Sequence, residues 1–175
     1  MANWSIDTMH SEVQFKVKHL VISTVTGSFK SFLGNMEASQ ADMSDAKVTF
    51  TADVDSIDTN NSQRDTHLKS DDFFNAEKYP KIHFHSSKIT KTAGKSYTLT
   101  GDITIREVTK TIELAVVYGG TAIDGYGQTK TGFEIKGKIN RKDFGLTWSA
   151  LTEAGGLIVG DDIILDLNIQ VTKQS

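Results

Sequence analysis

At 175 residues, 38% hydrophobic and 23% charged, the chain has the size and balance of one globular domain, able to bury roughly 70% of its unfolded surface. It has no cysteine, which removes disulfides, thiolate nucleophiles and cysteine zinc sites but leaves the redox compartment open. A net charge of -3 with scattered lysines argues against the basic face that nucleic acid or anionic headgroups need, and no stretch approaches a membrane span.

Met1 to His10 lack the basic start, apolar run and small-residue cleavage site of a signal peptide. The chain as written is therefore expected in the cytoplasm, or in the periplasm if a native signal lies outside this sequence. From there the apolar residues recur at every second position, the period of an extended strand. Val13, Phe15 and Val17 alternate with Glu12, Gln14, Lys16 and Lys18; Val48, Phe50, Ala52 and Val54 with Lys47, Thr49, Thr51 and Asp53. Ile82 and Phe84, Ile103 and Ile105, Ile112 with Leu114 and Val116, and Phe133 with Ile135 and Ile139 continue the pattern. The longest run is Ile163, Leu165, Leu167, Ile169 and Val171. With segments near Ser28 to Glu37 and Lys95 to Leu99, about eight strands are expected, turning at Thr92 to Lys95 and Gly119 to Gly125. One apolar and one polar face per strand indicates an antiparallel sheet. Closing it into a barrel removes exposed edges, with a sandwich as the alternative.

Two segments break the alternation. Asn60, Asn61 or Ser62 is placed to cap a short helix carrying Arg64, Asp65, His67 and Leu68, and Ser70 to cap a further turn whose Phe73 and Phe74 plug an apolar space. Lys142 to Gly156, with Phe144, Leu146, Trp148 and Leu151 among glycines, reads as a loop folded over a barrel mouth. Pro80 directly precedes a strand, where its missing amide does least harm. Nothing marks a boundary, so residues 1–175 form a single domain.

Candidate chemistry is sparse. His83 and His85 share a strand face but lack the further ligands that zinc needs, and alternation sets them opposite Ile82 and Phe84, toward solvent. His10 and His19 are isolated. Asp53, Asp55 and Asp58 read as a charged strand end. There is no nucleophile elbow and no nucleotide fingerprint, since Gly119-Gly120 and Gly155-Gly156 lack the flanking grammar, so no cofactor is expected.

The stretch Arg64-Asp65-Thr66-His67-Leu68-Lys69-Ser70-Asp71-Asp72-Phe73-Phe74, then Tyr79-Pro80-Lys81-Ile82-His83-Phe84, resembles the hallmark of the YceI-like lipid-binding family. Further signatures follow in family order: Trp4-Ser5-Ile6-Asp7 with His10-Ser11-Glu12-Val13-Gln14-Phe15, Gly27-Ser28-Phe29, Gly101-Asp102-Ile103-Thr104-Ile105 before Val108-Thr109-Lys110, and Ile139-Asn140-Arg141-Lys142-Asp143-Phe144-Gly145-Leu146 leading into Val159-Gly160-Asp161. The resemblance covers nearly the whole chain. It implies an all-β fold, an extended lipocalin-like antiparallel eight-stranded β-barrel with short helical inserts. It also implies an interior that binds a polyisoprenoid or isoprenoid quinone, a frequent homodimer, and export to the periplasm in many members. Glu107 stands where the family commonly has glycine, and Thr111 where it commonly has proline, which puts the local turn geometry in question.

An isoprenoid tail gains affinity from apolar area, at about 25 cal/mol per Å². The candidate tunnel is Phe15, Val17, Phe29, Val48, Phe50, Phe74, Ile82, Phe84, Ile103, Ile105, Leu114, Phe133, Ile135, Phe144, Leu165 and Leu167. Arg64, Asp65, His67 and Arg141, with Asp143, are second-choice headgroup contacts, a salt bridge or cap being the usual work of such residues. The expected partner is a long-chain isoprenoid-type lipid, with no nucleic acid and no stable membrane insertion. Two other readings stay open: an enzyme acting on an apolar substrate in the same cavity, and a filled barrel serving in interaction or stress. Alternation does not separate a hollow barrel from a filled one.

Overall fold

The computed structural model describes residues 1–20, 22–149 and 159–175. Its strands are β1 (Ala2–Ile6), β2 (Glu12–His19), β3 (Ser23–Phe29), β4 (Phe32–Ala38), β5 (Lys47–Asp53), β6 (Ile57–Asp58), β7 (Lys81–Ala93), β8 (Ser96–Ile105), β9 (Val108–Ile123), β10 (Thr129–Asn140) and β11 (Val159–Lys173), with one helix, α1 (Ser62–Lys69).

The first six strands are halves of three. β1 and β2 both pair with β11, at Trp4↔Lys173 and Val13↔Leu167, and a 3-10 turn at Thr8–His10 separates them. β3 and β4 lie against β2 and β1 in turn, and β5 and β6 lie against β4 and β3. With the halves joined, eight antiparallel strands follow one another in chain order and β11 closes on the first, leaving a closed barrel. The alternation therefore gave the right number of strands but not their breaks.

Polar side chains hold each break. At the first, Asp7 accepts from the Met9 amide (3.1 Å), from His10 Nδ1 (2.9 Å) and from Lys130 Nζ (2.9 Å). Burial raises the cost of ionising Asp7, but the bonds from Lys130 and His10 outweigh it and lower its pKa to about 2. At the others, Asp53 accepts from Ser31 Oγ (2.6 Å) and Lys81 Nζ (2.6 Å), and Ser56 Oγ donates to the Asp53 carbonyl (2.7 Å).

The expected turn at Gly119 to Gly125 does not begin at the glycine pair. β9 runs on to Ile123, Gly119 is the extra residue of a bulge between Tyr118↔Phe133 and Gly120↔Gly132, and Gly120 sits at φ +108°. Paired glycines serve a bulge as readily as a turn. Hydroxyl bonds from Tyr118 to Thr121 (2.5 Å) and Thr121 to Thr131 (2.9 Å) carry the pairing past it. The chain instead reverses at Asp124, whose carboxylate accepts from the amides of Tyr126 (2.8 Å) and Gln128 (3.0 Å). The turn after β8 has both Arg106 (φ +52°) and Glu107 (φ +69°) in the left-handed region, which explains why glycine suits the second position.

The strands define two ends. The lower carries the β7–β8 and β9–β10 turns and a plug of Trp4, Met36, Ala38, Met43, Ala46 and Val171. The upper carries the β2–β3 and β8–β9 turns, α1 and the 3-10 turn Arg141–Phe144. Asn61 caps α1 by accepting from the Arg64 amide (3.0 Å), and Ser70 opens the expected further turn. Leu151 and the rest of 150–158 lie outside the described residues.

Candidate functional site: a cavity inside the barrel

Alternation turns every second side chain inward, and the interior they surround is hollow. A cavity of about 240 Å³ runs from Met36, Ala46 and Val171 of the lower plug to Leu68, Phe73, Phe74 and Leu146 under the upper end. It exceeds the roughly 150 Å³ apolar void that stays dry and takes up benzene in another protein. The walls are aliphatic and aromatic. Along β11, Ile163, Leu165, Leu167, Ile169 and Val171 all face it, a reach of about 26 Å at ~3.3 Å per residue.

All the expected tunnel residues line this cavity except Phe144. Phe144 is 1% exposed and packs in the core, but not on the cavity wall. The tight turn that Asn140 caps, with Gly145 at φ +80°, carries it away and brings Arg141 and Leu146 to the wall instead. Val13, Leu99, Val116, Ile163, Ile169 and Val171 also line the space and went unselected, though the same alternation marks them. Met36 and Ala46 line it in step with Phe32 and Ala38 on β4 and with Val48 and Phe50 on β5, and Leu68 lines it from a helix whose inward side has no period to reveal it.

Arg141 is the charged residue on the cavity wall among the described residues. It donates from Nε to the Gly160 carbonyl (2.9 Å) and from Nη1 to those of Leu146 (2.6 Å) and Trp148 (2.7 Å). Nη2 lies 3.4 Å from the Val159 carbonyl and 3.6 Å from Asp161 Oδ1. Burial lowers its pKa and Asp161 works against that fall. A guanidinium remains a cation through such a shift. Arg141 therefore fastens the segment after β10 to the start of β11.

The other headgroup candidates sit above the cavity, not on it. Arg64 gives Nε to Thr59 Oγ1 (2.8 Å) and Nη2 to the Thr59 carbonyl (2.5 Å), and Asp65 Oδ1 accepts from the Thr59 amide (3.0 Å) and hydroxyl (2.5 Å). These bonds tie a helix with no buried residue of its own to Thr59, the residue after β6. His67 stands edge-on to Phe73 and Trp148, with ring centroids 5.1 Å and 4.7 Å away, and its Nε2 is 2.8 Å from Asp72 Oδ2. Sequence reasoning missed Arg106, which donates from Nη1 to the carbonyls of Phe73 (2.7 Å), Asp71 (3.1 Å) and Gly145 (3.4 Å) and so joins the two upper loops. Its place in a turn gave no sign of this. His83 and His85 are exposed outside, and no group of three metal-ligating side chains occurs among the described residues.

A closed up-and-down antiparallel barrel with a hollow apolar interior places this protein in the lipocalin-like class of folds. Within that class the chain belongs to the YceI-like family, whose domain matches residues 4–171. It is 40% identical over 145 residues to a UPF0312 protein of Photorhabdus laumondii, a match covering 82% of this chain and 75% of that one. The crystal structure of the YceI protein of Campylobacter jejuni is 35% identical and covers 90% of each chain with a TM-score of 0.77. A polyisoprenoid binding domain from Saccharophagus degradans shares the fold at 13% identity, with a TM-score of 0.72 over 98% of each chain.

Proposed function

We infer that the protein binds a long-chain amphiphile by burying its apolar tail in the barrel, and that the tail is a polyisoprenoid, either free or carried by a quinone. The observation that carries this reading is the length of continuous apolar wall, from Val171 to Phe73, around a space left unfilled. Filling an apolar void restores dispersion contacts its lining lacks and removes tail surface from water. A branched, hydrogen-bond-poor chain suits walls of Ile, Leu and Phe, and the polyisoprenoid binding domain of Saccharophagus degradans has the same fold. Binding of this kind serves sequestration or transport.

The test is organic extraction of the purified protein followed by mass spectrometry, with titration of added prenylquinones. A prenyl lipid near one per chain is expected, or saturable uptake of the quinone. The absence of both would sink the reading. Phe133→Glu, which places a charge on the wall, is expected to abolish uptake while the far-ultraviolet dichroism of the barrel persists.

A further inference from the structure

The barrel wall is not hydrogen-bonded all the way round. The β9–β10 ladder ends at Ala115↔Lys136. Beyond it β10 continues beside β11 to Asn140↔Asp162, and β9 beside β8 to Ile105↔Val108. Val108–Leu114 and Gly137–Asn140 therefore each have a partner strand on one side only. They bound a slit in the upper wall, about 13 Å tall for four residues at ~3.3 Å each. Roughly half of the backbone N–H and C=O groups on each bank point into it. Among the described residues, no side chain bonds to those groups.

Below the 3-10 turn Arg141–Phe144, which packs against β9, side chains close the slit. Leu114 (8% exposed) and Ile112 come from one bank and Ile139 (9% exposed) from the other, and all three also line the cavity. Leu114 lies over Gly137, in the space a Cβ there would occupy. Solvent and cavity are thus separated by one apolar layer with no ladder across it. Among the described residues the ends of the barrel are held differently, the lower by a packed plug and the upper by Arg106 and Arg141, which reach five backbone carbonyls at 3.1 Å or less.

We propose that this slit is a lateral portal: the tail of the amphiphile passes between β9 and β10 past Leu114 and Ile139, while its polar head stays at the free backbone groups of the two banks. This rests on the tail-binding reading above. A sideways passage suits a long tail, because the polar head never has to cross the apolar interior. The head gains the hydrogen bonds the banks leave unmade.

The absence of cysteine in the chain makes the test clean. Glu113→Cys with Lys138→Cys continues the register of the broken ladder across the slit on the outer face, and a short bis-maleimide ties the banks together. Thr98→Cys with Ala115→Cys, across the intact β8–β9 ladder, is the control. Uptake of a short-chain ubiquinone is followed by quenching of tryptophan fluorescence. Tying the slit is expected to slow uptake about tenfold or more, with the control unchanged, because blocking a route acts on the association rate. Equal rates in both tied proteins would overturn the portal and leave tail binding standing. An untied protein that takes up no quinone would overturn both. Should the linker fail to bridge the banks, Leu114→Ala is expected to speed uptake about fivefold, by removing the side chain that lies over Gly137, and an unchanged rate there would likewise overturn the portal.

Discussion

The two ends of the barrel are closed by different physics. At the lower end Trp4 lies directly across from Met36, with Met43, Ala46 and Val171 packed around them, and Tyr97 adds one hydroxyl bond to the Asp42 carbonyl (2.7 Å). That closure is spread over many small contacts. At the upper end irregular segments lie over the cavity, and two guanidinium groups reaching backbone carbonyls hold them down. A packed plug weakens by degrees, whereas a fastening by two cations depends on two residues. The lower end is thus a fixed floor, and the upper end a cover whose position is set by hydrogen bonds.

The sharpest way to break this contrast is to empty the floor. Trp4→Ala is expected to cost about 3–5 kcal/mol, read by urea denaturation, through lost transfer energy and the cavity left behind. Trp4→Phe should cost far less, because among the described residues the buried indole N–H has no hydrogen-bond partner to lose. Arg141→Met comes next, at about 2–4 kcal/mol, since it leaves buried carbonyls unpaired. It should also speed amide exchange in residues 141–149 while sparing β1. Equal exchange at both ends would erase the distinction between floor and cover.

Asp7 holds the first strand break, and Asp7→Asn is expected to cost about 1–2 kcal/mol at neutral pH. Because folding lowers its pKa from 3.8 to about 2, the contribution of Asp7 is complete above the unfolded value and is lost as pH falls through the folded one. The difference between parent and variant should therefore shrink between pH 4 and pH 2, as followed by denaturation midpoints. The smallest effect is expected at the upper turn. Glu107→Gly should stabilise by about 0.5–1 kcal/mol, because a residue with Cβ pays for φ +69° and glycine does not.

The walls of the barrel were legible in the sequence because burial on one face writes a period of two, as Ile163 to Val171 do on β11. Phe144 misled because it follows the last strand residue of β10 into a turn, where inward and outward lose their period. The bulge misled for a related reason: Gly119-Gly120 carries the same composition in a turn and in a bulge, and the hydrogen-bonding hydroxyls that decide between them lie at Tyr118, Thr121 and Thr131. Arg64 and Asp65 were legible as a polar pair, but their shared partner Thr59 was not, since that contact depends on how α1 returns to β6. The slit left only a faint mark. Where a ladder stops is set by how neighbouring strands diverge, and the sequence shows no more than Lys110 on one bank and Gly137 on the other interrupting the apolar row of their strands.

β11 pairs with β10 along one edge and with β2 and β1 along the other, so it is the piece that turns a sheet into a barrel. During synthesis it leaves the ribosome after every other strand. Until then the nascent chain can form only an open sheet, with bare edges at β10 and β1/β2 and an oily inner face turned to water. Such an intermediate invites pairing with other chains and favours chaperone attendance. Because closure joins residues near opposite ends of the chain, as in Trp4↔Lys173, it also waits on the slowest kind of contact search.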